Sequence, residues 1–316
     1  MEGVQPTPIV RTRDSIVERT AAAPISWGVC EVPGWGVELP PDRVLAEMRE
    51  LGLAATEAGP EGYLGSTRAE MAALLARHQL RLVGGFVPVV MHDRAAPALD
   101  GAAAAARLFA ALGADVLVSA AAWEAGRPAG EPLSRDEWRR LADTLDRLDE
   151  LAAAHGLTHA LHPHLGMAVE TADDVGRVLE GSDVRLCLDT GHLTLGGADP
   201  VRLATEAHDR VAHVHLKDVR SDLVARVRAG ELSHLEATRL GIFRPLGTGD
   251  VPIAEAVGVL ETSGYEGWYV LEQDASLGSA ATEPGTGPLE DQRRSLEFLR
   301  SVGRTGRTTR RKEGSR

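Results

Sequence analysis

Histidine and carboxylate side chains recur in this 316-residue sequence where short β-rich runs end. One such group from each of four runs forms a mixed nitrogen and oxygen donor set, made of His162, Asp189, His215 and Glu272. Such a set suits Mn²⁺, Co²⁺, Fe²⁺ or Zn²⁺, whereas Mg²⁺ prefers more oxygen ligands. The set contains no thiolate, so it does not resemble a structural zinc site. These residues therefore predict a divalent metal centre.

The alternation of side chains along a strand brings further polar groups towards the same place. His162 and His164 share one face of their run, because successive side chains of a strand point to opposite sides. By the same rule His213, His215 and Lys217 share a face of another run. His213 lies one layer deeper than His215, which favours a packed core histidine or a partner of a ligand.

Eight β-rich runs are expected to position these side chains. They cover residues 24–30, 54–60, 81–91, 115–122, 158–164, 184–192, 210–219 and 267–274. Helical patterns separate most of the runs, and this alternation predicts parallel βα units. Two architectures accept that pattern, an open doubly wound sheet and a closed (βα)₈ barrel.

A closed barrel is the favoured architecture of the two. No GxGxxG motif follows the first run, so the dinucleotide-binding form of the open sheet loses its main support. A barrel of about 250 residues fits positions 24–303 with modest insertions. We therefore predict one α/β domain over residues 21–303, a TIM barrel with a helical insertion at 220–250 after the seventh strand. Active sites of this fold lie at the carboxyl ends of the strands, where the polar groups collect.

Local signals mark the ends of helices and of the domain. Ser134, with an acidic residue three positions later, predicts a capped helix start, and Ser66 is expected to cap another helix with support from Glu70. Residues 1–20 and the basic tail 304–316 are expected to be disordered and solvated.

The charge of the chain argues against nucleic acids as partners. The sequence has 46 acidic and 34 basic side chains, a formal net charge of −12. Residues 304–316 hold six basic residues and one acidic residue, so the remainder carries −17. A body of that charge would repel phosphate backbones.

Targeting signals and a disulfide framework are missing from the pattern. No apolar run approaches the roughly 18 residues that suggest a membrane span, and charges interrupt the N-terminal region where a signal peptide has its apolar core. The two cysteines, Cys30 and Cys187, are expected to be buried small hydrophobic residues. We expect a soluble, cytoplasmic protein that does not bind membranes.

Several motifs carry a resemblance to known proteins. LDTGH at 188–192, HVHLKD at 213–218 and GYEGWYVLEQD at 264–274 resemble the xylose-isomerase-like sugar isomerases and epimerases, a superfamily of metal-dependent TIM barrels. APISWG, TEAGPEGYLG, HPHLGMAVET and the insertion after HVHLKDV are similar to the inosose (2-keto-myo-inositol) dehydratase family, over residues 21–300. The first motifs are common to the superfamily, whereas the insertion is particular to the dehydratase branch.

The resemblance implies a ligand set and a cofactor. Superfamily sites take a Glu, an Asp, a His and a Glu from strands five to eight; Asp189, His215 and Glu272 match, and His162 stands in the first Glu position. The dehydratase branch shares that departure, which removes a carboxylate that epimerases use as an acid or base. His192 corresponds to a substrate-contacting histidine. The expected cofactor is Mn²⁺ or Co²⁺, and the family further implies glutathione.

The implied reaction removes a proton next to a ketone and expels a β-hydroxyl group as water. A metal would stabilise the enolate as a Lewis acid, a base must reach the α-carbon, and an acid must protonate the leaving hydroxyl. The candidates are His164, His192, Lys217 and Glu57. A histidine is favoured as base because imidazole titrates near neutrality. Lys217 is expected to donate hydrogen bonds to substrate, or to act as the acid if burial lowers its pKa.

Three residues at the predicted rim have a structural alternative. Glu57 could close a salt bridge there, although the functional role is favoured because its AGPEGYLG loop matches the family. Trp27 and His92 could contact a substrate, but packing at the rim is the simpler interpretation.

Three hypotheses for the function remain. The leading one is a metal-dependent hydro-lyase acting on a small cyclitol, inosose or a close relative, which His162 and the insertion favour. The second is a keto-sugar isomerase or epimerase on the same barrel, because both reactions require enolisation. The third is a non-catalytic sugar-binding barrel. A homo-oligomer is expected because such assemblies are common in the superfamily.

Overall fold

The computed structural model describes residues 16–93, 99–127, 131–278 and 283–313. Its strands are β1 Thr20–Ala22, β2 Ala55–Glu57, β3 Arg81–Gly84, β4 Phe86–Val90, β5 Val116–Ala122, β6 Thr158–Leu161, β7 Leu186–Asp189, β8 Val211–Leu216, β9 Asp218–Val219, β10 Phe243–Arg244 and β11 Tyr269–Leu271. Its helices are α1 Pro41–Glu50, α2 Arg68–Arg77, α3 Asp100–Ala111, α4 Arg135–Ala154, α5 Ala172–Gly181, α6 Thr190–Leu195, α7 Pro200–Glu206, α8 Ser221–Arg228, α9 His234–Arg239, α10 Ile253–Ser263 and α11 Pro288–Glu313.

Nine of the strands form one parallel sheet that closes on itself. Their order is β3-β2-β1-β11-β8-β7-β6-β5-β4, so the two ends of the order, β3 and β4, are separated in the chain only by Gly85. Arg81–Val90 therefore acts as one barrel strand, whose first half pairs with β2 and whose second half pairs with β5. The result is the eight-position TIM barrel that the alternation of strands and helices predicted.

Glycine allows the barrel strand to bend at this junction. A Cβ atom on Gly84 would lie 2.5 Å from the carbonyl oxygen of Val116, and one on Gly85 would lie 2.7 Å from Cζ of Phe109. Both distances are shorter than a van der Waals contact, so neither position has room for a Cβ atom. The strand can therefore approach β5 on one side and α3 on the other only without side chains at these positions.

Small residues fill the inside of the barrel. Ala21, Ala55 and Val270 form one buried cluster, and Val118 and Cys187 belong to a second. Alternate residues of the same strands point outwards and join the larger core between sheet and helices. Cys187 is fully buried in this inner layer, which confirms the expectation that it packs as a small apolar residue.

The first strand lies earlier than the sequence predicted. The predicted run 24–30 contains a 3-10 helix, Pro24–Trp27, which Gly28 ends at a φ of 81°. The strand is instead β1, whose three small residues are buried. A further 3-10 helix, Ile16–Arg19, precedes it and accepts a hydrogen bond from the Thr20 hydroxyl at 2.7 Å. The segment 1–20, which was expected to be disordered, therefore contains this 3-10 helix and the start of β1.

Helix caps explain two of the helix starts. Ser134 caps α4 with Glu137 in a reciprocal capping box, as predicted. The cap of α2 is Thr67 and not Ser66, and Glu70 completes its capping box. The backbone N–H of Ser66 also donates to Glu70, over 2.8 Å, so the predicted residue lies one position from the true cap.

The insertion after β8 is helical, and its end is tied to the barrel. It contains α8 and α9, and its strand β10 pairs antiparallel with β9. The buried carboxylate of Asp218 accepts backbone hydrogen bonds from Gly247, Gly249 and Val251 at 2.8, 2.9 and 3.1 Å. These hydrogen bonds hold the glycine-rich segment at the end of the barrel strand.

The last element of the described residues, α11, packs on the outside of the barrel. Leu289, Leu296 and Leu299 of this helix are buried in the core. The helix continues through Glu313, whereas a disordered tail was expected from residue 304 onwards. Among the residues that the structure describes, none of the helices combines the length and the apolar character needed to cross a membrane.

Candidate active site

The four predicted metal ligands lie together at the carboxyl end of the barrel. Asp189 is the last residue of β7, His215 lies near the end of β8, and His162 and Glu272 directly follow β6 and β11. All four side chains are buried, with Glu272 the most exposed at 8%. The C-terminal ends of adjacent parallel strands therefore bring residues that are more than 100 positions apart into one cluster.

The facing atoms of this cluster have the spacing of a ligand shell. Oδ2 of Asp189 lies 3.3 Å from Nε2 of His162 and 3.8 Å from Nδ1 of His215. Nδ1 of His215 also contacts Oε2 of Glu272. Bonds of about 2.1 Å from one ion place neighbouring ligand atoms roughly 3 Å apart. Asp189, His215 and Glu272 thus fit one metal ion geometrically, with His162 beside them.

Hydrogen bonding in the cluster also fits a metal ion. Nδ1 of His215 and Oε2 of Glu272 are shielded from solvent, yet neither makes an aligned hydrogen bond within the described residues. Buried polar groups are normally paired, because an unpaired one costs about 1–3 kcal/mol. Two such atoms facing each other beside Asp189 therefore indicate a place for a cation.

Glu57 supports the cluster from below and does not line its open side. Its Oε1 accepts hydrogen bonds from Nε2 of His213 at 2.8 Å and from Nε2 of His215 at 3.0 Å. Burial alone would raise the pKa of Glu57, but the two imidazoles outweigh burial and lower it. The ionised carboxylate fixes the orientation of His215 and leaves Nδ1 to face the cluster.

Lys217 is a buried ammonium group surrounded by carboxylates. Its Nζ donates to Oδ1 of Asp274 at 2.7 Å and to Oε1 of Glu272 at 3.0 Å, and lies 3.7 Å from Oδ2 of Asp189. Burial opposes its charge, but these three carboxylates outweigh burial and raise the pKa of Lys217. These contacts favour Lys217 as a charged hydrogen-bond donor over the alternative in which burial lowers its pKa and makes it an acid.

Two histidines lie in contact beside the cluster. The rings of His164 and His192 are 3.9 Å apart between centroids. Burial and neighbouring cationic groups lower the pKa of both, that of His164 to about 3, so both are neutral at physiological pH. Nδ1 of His164 donates to the carbonyl oxygen of Leu165 at 2.8 Å, which leaves its Nε2 with a lone pair.

His192 is held more tightly than His164. Its backbone N–H donates to Oδ1 of Asp189 at 2.7 Å, because Asp189 also caps the short helix α6. Its ring nitrogens face Lys217 Nζ at 3.0 Å and the backbone N–H of Leu165 at 3.3 Å. Each nitrogen thus faces a protein donor, but a neutral imidazole carries one N–H, so only one of the two nitrogens can accept a hydrogen bond.

Two residues of the site were not assigned by sequence reasoning. Asp274 bonds Lys217 with one oxygen, and its other oxygen lies 3.2 Å from Nε2 of His234. The signal for Asp274 was available, because it shares a strand face with Glu272. The sequence contains no such signal for His234, because this residue lies in α9 of the insertion, and long-range packing determines the position of α9.

The remaining candidates have structural roles. Trp27 is fully buried and donates from Nε1 to Oε2 of Glu47 in α1 at 2.8 Å, away from the cluster. His92 is buried at the rim, where it pairs with Glu124. Burial raises the pKa of Cys30 to about 11, so its thiol is protonated and unreactive. Rim packing accounts for Trp27 and His92, whereas Cys30, which was expected to be buried, is only half-buried.

A Ser-His-Asp arrangement occurs in the barrel wall. Oγ of Ser119 lies 2.6 Å from Nε2 of His159, whose Nδ1 lies 2.5 Å from Oδ1 of Asp149. Ser119 is completely buried between β5 and β6, so no substrate reaches it. The three residues join two strands to α4 and do not form a nucleophilic site.

Comparison with known proteins assigns the chain to a family. The sequence profile described as xylose isomerase-like TIM barrel matches residues 45–302. The chain belongs to this family. It is 34% identical to the rhizopine catabolism protein MocC of Rhizobium meliloti over 274 residues, 83% of each chain. It is 31% identical to the inosose dehydratase of Geobacillus thermodenitrificans, over 89% of this chain and 95% of that one.

Solved structures of other proteins share the fold. An L-ribulose 3-epimerase superposes with a TM-score of 0.66 at 19% identity, over 94% of this chain and 98% of that one. The 3-keto-D-glucoside 4-epimerase YcjR from E. coli gives a TM-score of 0.62 at 18% identity, over 90% and 99%. At these identities the likeness extends to the barrel and not to the reaction.

Proposed function

We propose that this protein is a hydro-lyase that removes water from a cyclic keto-polyol, 2-keto-myo-inositol or a close relative. The observation that carries the proposal is the buried cluster of two histidines and two carboxylates, in which Nδ1 of His215 and Oε2 of Glu272 touch without an aligned hydrogen bond. Neutral His164 and charged Lys217 lie beside it. Relatives named inosose dehydratase, 31% and 32% identical over more than 80% of both chains, support it.

His162, Asp189, His215 and Glu272 would hold a divalent metal, for which we propose Mn²⁺ or Co²⁺. Two imidazoles and two carboxylates suit such intermediate ions, and they distinguish the site from the oxygen-rich sites of Mg²⁺. Bound there, the ion would act as a Lewis acid towards the ketone oxygen. A role for glutathione and a homo-oligomeric state remain predictions from the resemblance.

His164 is the proposed base. It is neutral, its Nδ1 is committed to the Leu165 carbonyl, and its Nε2 keeps a lone pair at the half-buried edge of the site. Both ring nitrogens of His192 face protein donors, and its single acceptor nitrogen is occupied by Lys217 or by the Leu165 backbone N–H, so His192 orients substrate and supports the neighbouring ring. The α-proton moves to Nε2 of His164, and the imidazolium then returns it to the departing β-hydroxyl group, which leaves as water.

Lys217 acts in this scheme as a fixed positive charge. Its raised pKa opposes loss of a proton, so it contributes hydrogen bonds and charge stabilisation near the reacting oxygens. Glu57 acts through His215 and is a positioning residue. Proton transfer in the proposal therefore passes through one imidazole.

Mass spectrometry of 2-keto-myo-inositol incubated with the Mn²⁺-loaded protein tests the proposal. Loss of one water, absent in a His162→Ala/Asp189→Ala variant, is the expected result. Deuterium exchange beside the ketone without loss of water would instead identify an isomerase or epimerase. The absence of both signals would contradict both activities and would favour a sugar-binding barrel.

A further inference from the structure

His234 reaches the candidate active site from the insertion. It is the first residue of α9, directly after the helix cap Ser233. Ser233 and Glu236 form a reciprocal capping box, in which the Ser233 N–H donates to Glu236 at 2.8 Å. The same insertion ends at the glycine-rich segment that Asp218 holds against the barrel. The capping box therefore orders the start of α9, where His234 lies, and Asp218 anchors the end of the insertion.

The ring of His234 faces the two neutral histidines of the site. Its centroid lies 6.0 Å from that of His192 and 6.2 Å from that of His164. Trp35 and Phe243 flank it edge-on, at 5.4 and 5.7 Å between centroids. The side chain is 26% exposed, so it lies at the boundary between the buried cluster and solvent.

His234 and Asp274 place a nitrogen beside a carboxylate oxygen without a formed hydrogen bond. Nε2 of His234 lies 3.2 Å from Oδ2 of Asp274, but it makes no aligned hydrogen bond to any described residue although it is shielded from solvent. Oδ1 of Asp274 is already used by Lys217. Asp274 Oδ2 and His234 Nε2 thus remain as a neighbouring acceptor and donor next to the reaction centre.

A vicinal diol matches such a pair. One hydroxyl oxygen accepts a hydrogen bond from the N–H of the ring, while the adjacent hydroxyl donates to the carboxylate. The two oxygens of a vicinal diol also have a spacing similar to that of His234 Nε2 and Asp274 Oδ2. The aromatic rings of Trp35 and Phe243 offer apolar surface for the C–H groups of the same ligand.

We propose that His234 is a specificity-determining residue that, together with Asp274, binds a vicinal diol of the substrate. This inference rests on the proposed function, since a cyclic keto-polyol carries such diols. On this proposal the insertion is part of the substrate site and determines which arrangement of hydroxyl groups the site binds. The metal cluster and the base, by contrast, belong to the barrel strands.

Calorimetric titration with myo-inositol and its mono-deoxy analogues tests the inference on the Mn²⁺-loaded protein. His234→Phe keeps an aromatic ring between Trp35 and Phe243 but removes the nitrogen, so it should weaken myo-inositol binding by about 10- to 100-fold, as expected for a lost hydrogen bond. The mono-deoxy analogue that lacks the diol bound by His234 and Asp274 should bind the wild type and His234→Phe with equal affinity. His234→Gln should restore part of the affinity.

His208→Phe is the matched control, because this exposed histidine precedes β8 at the opposite end of the barrel. It should bind like the wild type. Unchanged binding of every ligand by His234→Phe would overturn the inference. So would equal weakening for all analogues accompanied by faster amide exchange across 220–250, because that result indicates a purely structural contact.

Turnover separates this inference from the proposed function. If the wild type dehydrates 2-keto-myo-inositol and His234→Phe retains its full kcat/KM, the function stands and the inference fails. If the wild type binds cyclitols through His234 without dehydrating the ketone, the inference stands and the proposed function fails. A wild type that neither binds nor converts any of these ligands contradicts both.

Discussion

Nε2 of His215 donates to Oε1 of Glu57 over 3.0 Å, while Nδ1 of the same ring faces Asp189 and Glu272. The two ring nitrogens therefore have separate tasks. The carboxylate fixes the tautomer and the rotation of the ring, and the other nitrogen is available to an ion. A carboxylate behind the ring of His215 thus sets the geometry of the candidate metal site.

We expect Glu57→Gln to weaken binding of Mn²⁺ by about 10- to 100-fold, the usual effect of removing a carboxylate behind a ligating histidine. An amide accepts a weaker hydrogen bond and can turn its NH₂ group towards the ring. Competition with a metal-sensitive chelator dye measures the affinity. Glu266→Gln makes the same charge change at an exposed position before β11 and should bind the metal like the wild type. Equal affinities of Glu57→Gln and wild type would show that Glu57 does not support the site.

Lys217 should be essential for stability as well as for function. Lys217→Met leaves Asp274 and Glu272 without their buried cation, and breaking a buried ion pair by removing one partner typically costs about 3–5 kcal/mol. Adding Asp274→Asn removes one of the uncompensated charges, so the double variant should recover part of the free energy of unfolding. Urea unfolding of wild type, both single variants and the double variant, all with chelator present, gives the coupling energy. Purely additive losses would contradict the ion pair.

The sequence predicted the parts of the site that depend on local geometry. The period of two along β8 placed His213, His215 and Lys217 on one face, and the order of parallel strands brought Asp189 beside them. The charge of Lys217 was not predictable, because its pKa depends on three carboxylates at the ends of two other strands, β7 and β11. His234 was missed because only the packing of the insertion brings it near the site.

The same distinction explains the misplaced first strand. Thr20–Ala22 has weak β propensity, and its small residues are placed by the narrow inside of the barrel and by pairing with β11. The run 24–30 has stronger β-forming residues, but Pro24 begins a 3-10 helix there. Tertiary packing therefore decided the strand, and local propensity misled the prediction.

Asp218 should control the order of the segment that follows the insertion. Its Oδ2 accepts from the N–H groups of Gly247 and Gly249, and its Oδ1 accepts from Val219 and Val251. An asparagine in either amide orientation would point its NH₂ group at two backbone donors. We therefore expect Asp218→Asn to destabilise the protein by about 1–3 kcal/mol.

Hydrogen–deuterium exchange locates this effect. Amide protection should fall in residues 245–251 of Asp218→Asn, while exchange in β5 and β6 stays like that of the wild type. Asp222→Asn is a suitable control, because that exposed carboxylate lies in the same insertion and bonds only Arg220 among the described side chains. Equal protection of 245–251 in both variants would contradict the anchoring role.

Glu137 provides a stability contribution with a defined pH dependence. Hydrogen bonds from Arg127 and Ser134 lower its pKa to about 2, from an ordinary value of 4.5. Because the folded-state pKa is depressed, the contribution is complete above about pH 4.5 and is lost as pH falls towards 2. The amide of Glu137→Gln can still accept from the backbone of the helix cap, so this substitution isolates the charge. We expect it to lower the free energy of unfolding by about 1 kcal/mol at pH 7, since the pair lies near the surface.

Urea unfolding of metal-free protein at intervals between pH 7 and pH 3 tests this dependence. The difference between wild type and Glu137→Gln should stay constant down to about pH 4.5 and then shrink, because the carboxylate becomes protonated in the unfolded chain first. Arg127→Gln alone and combined with Glu137→Gln completes a double-mutant cycle, and its coupling energy should shrink over the same pH range. A difference that does not change with pH would instead assign the effect of Glu137 to helix capping, because the hydrogen bond to Ser134 does not require a charge.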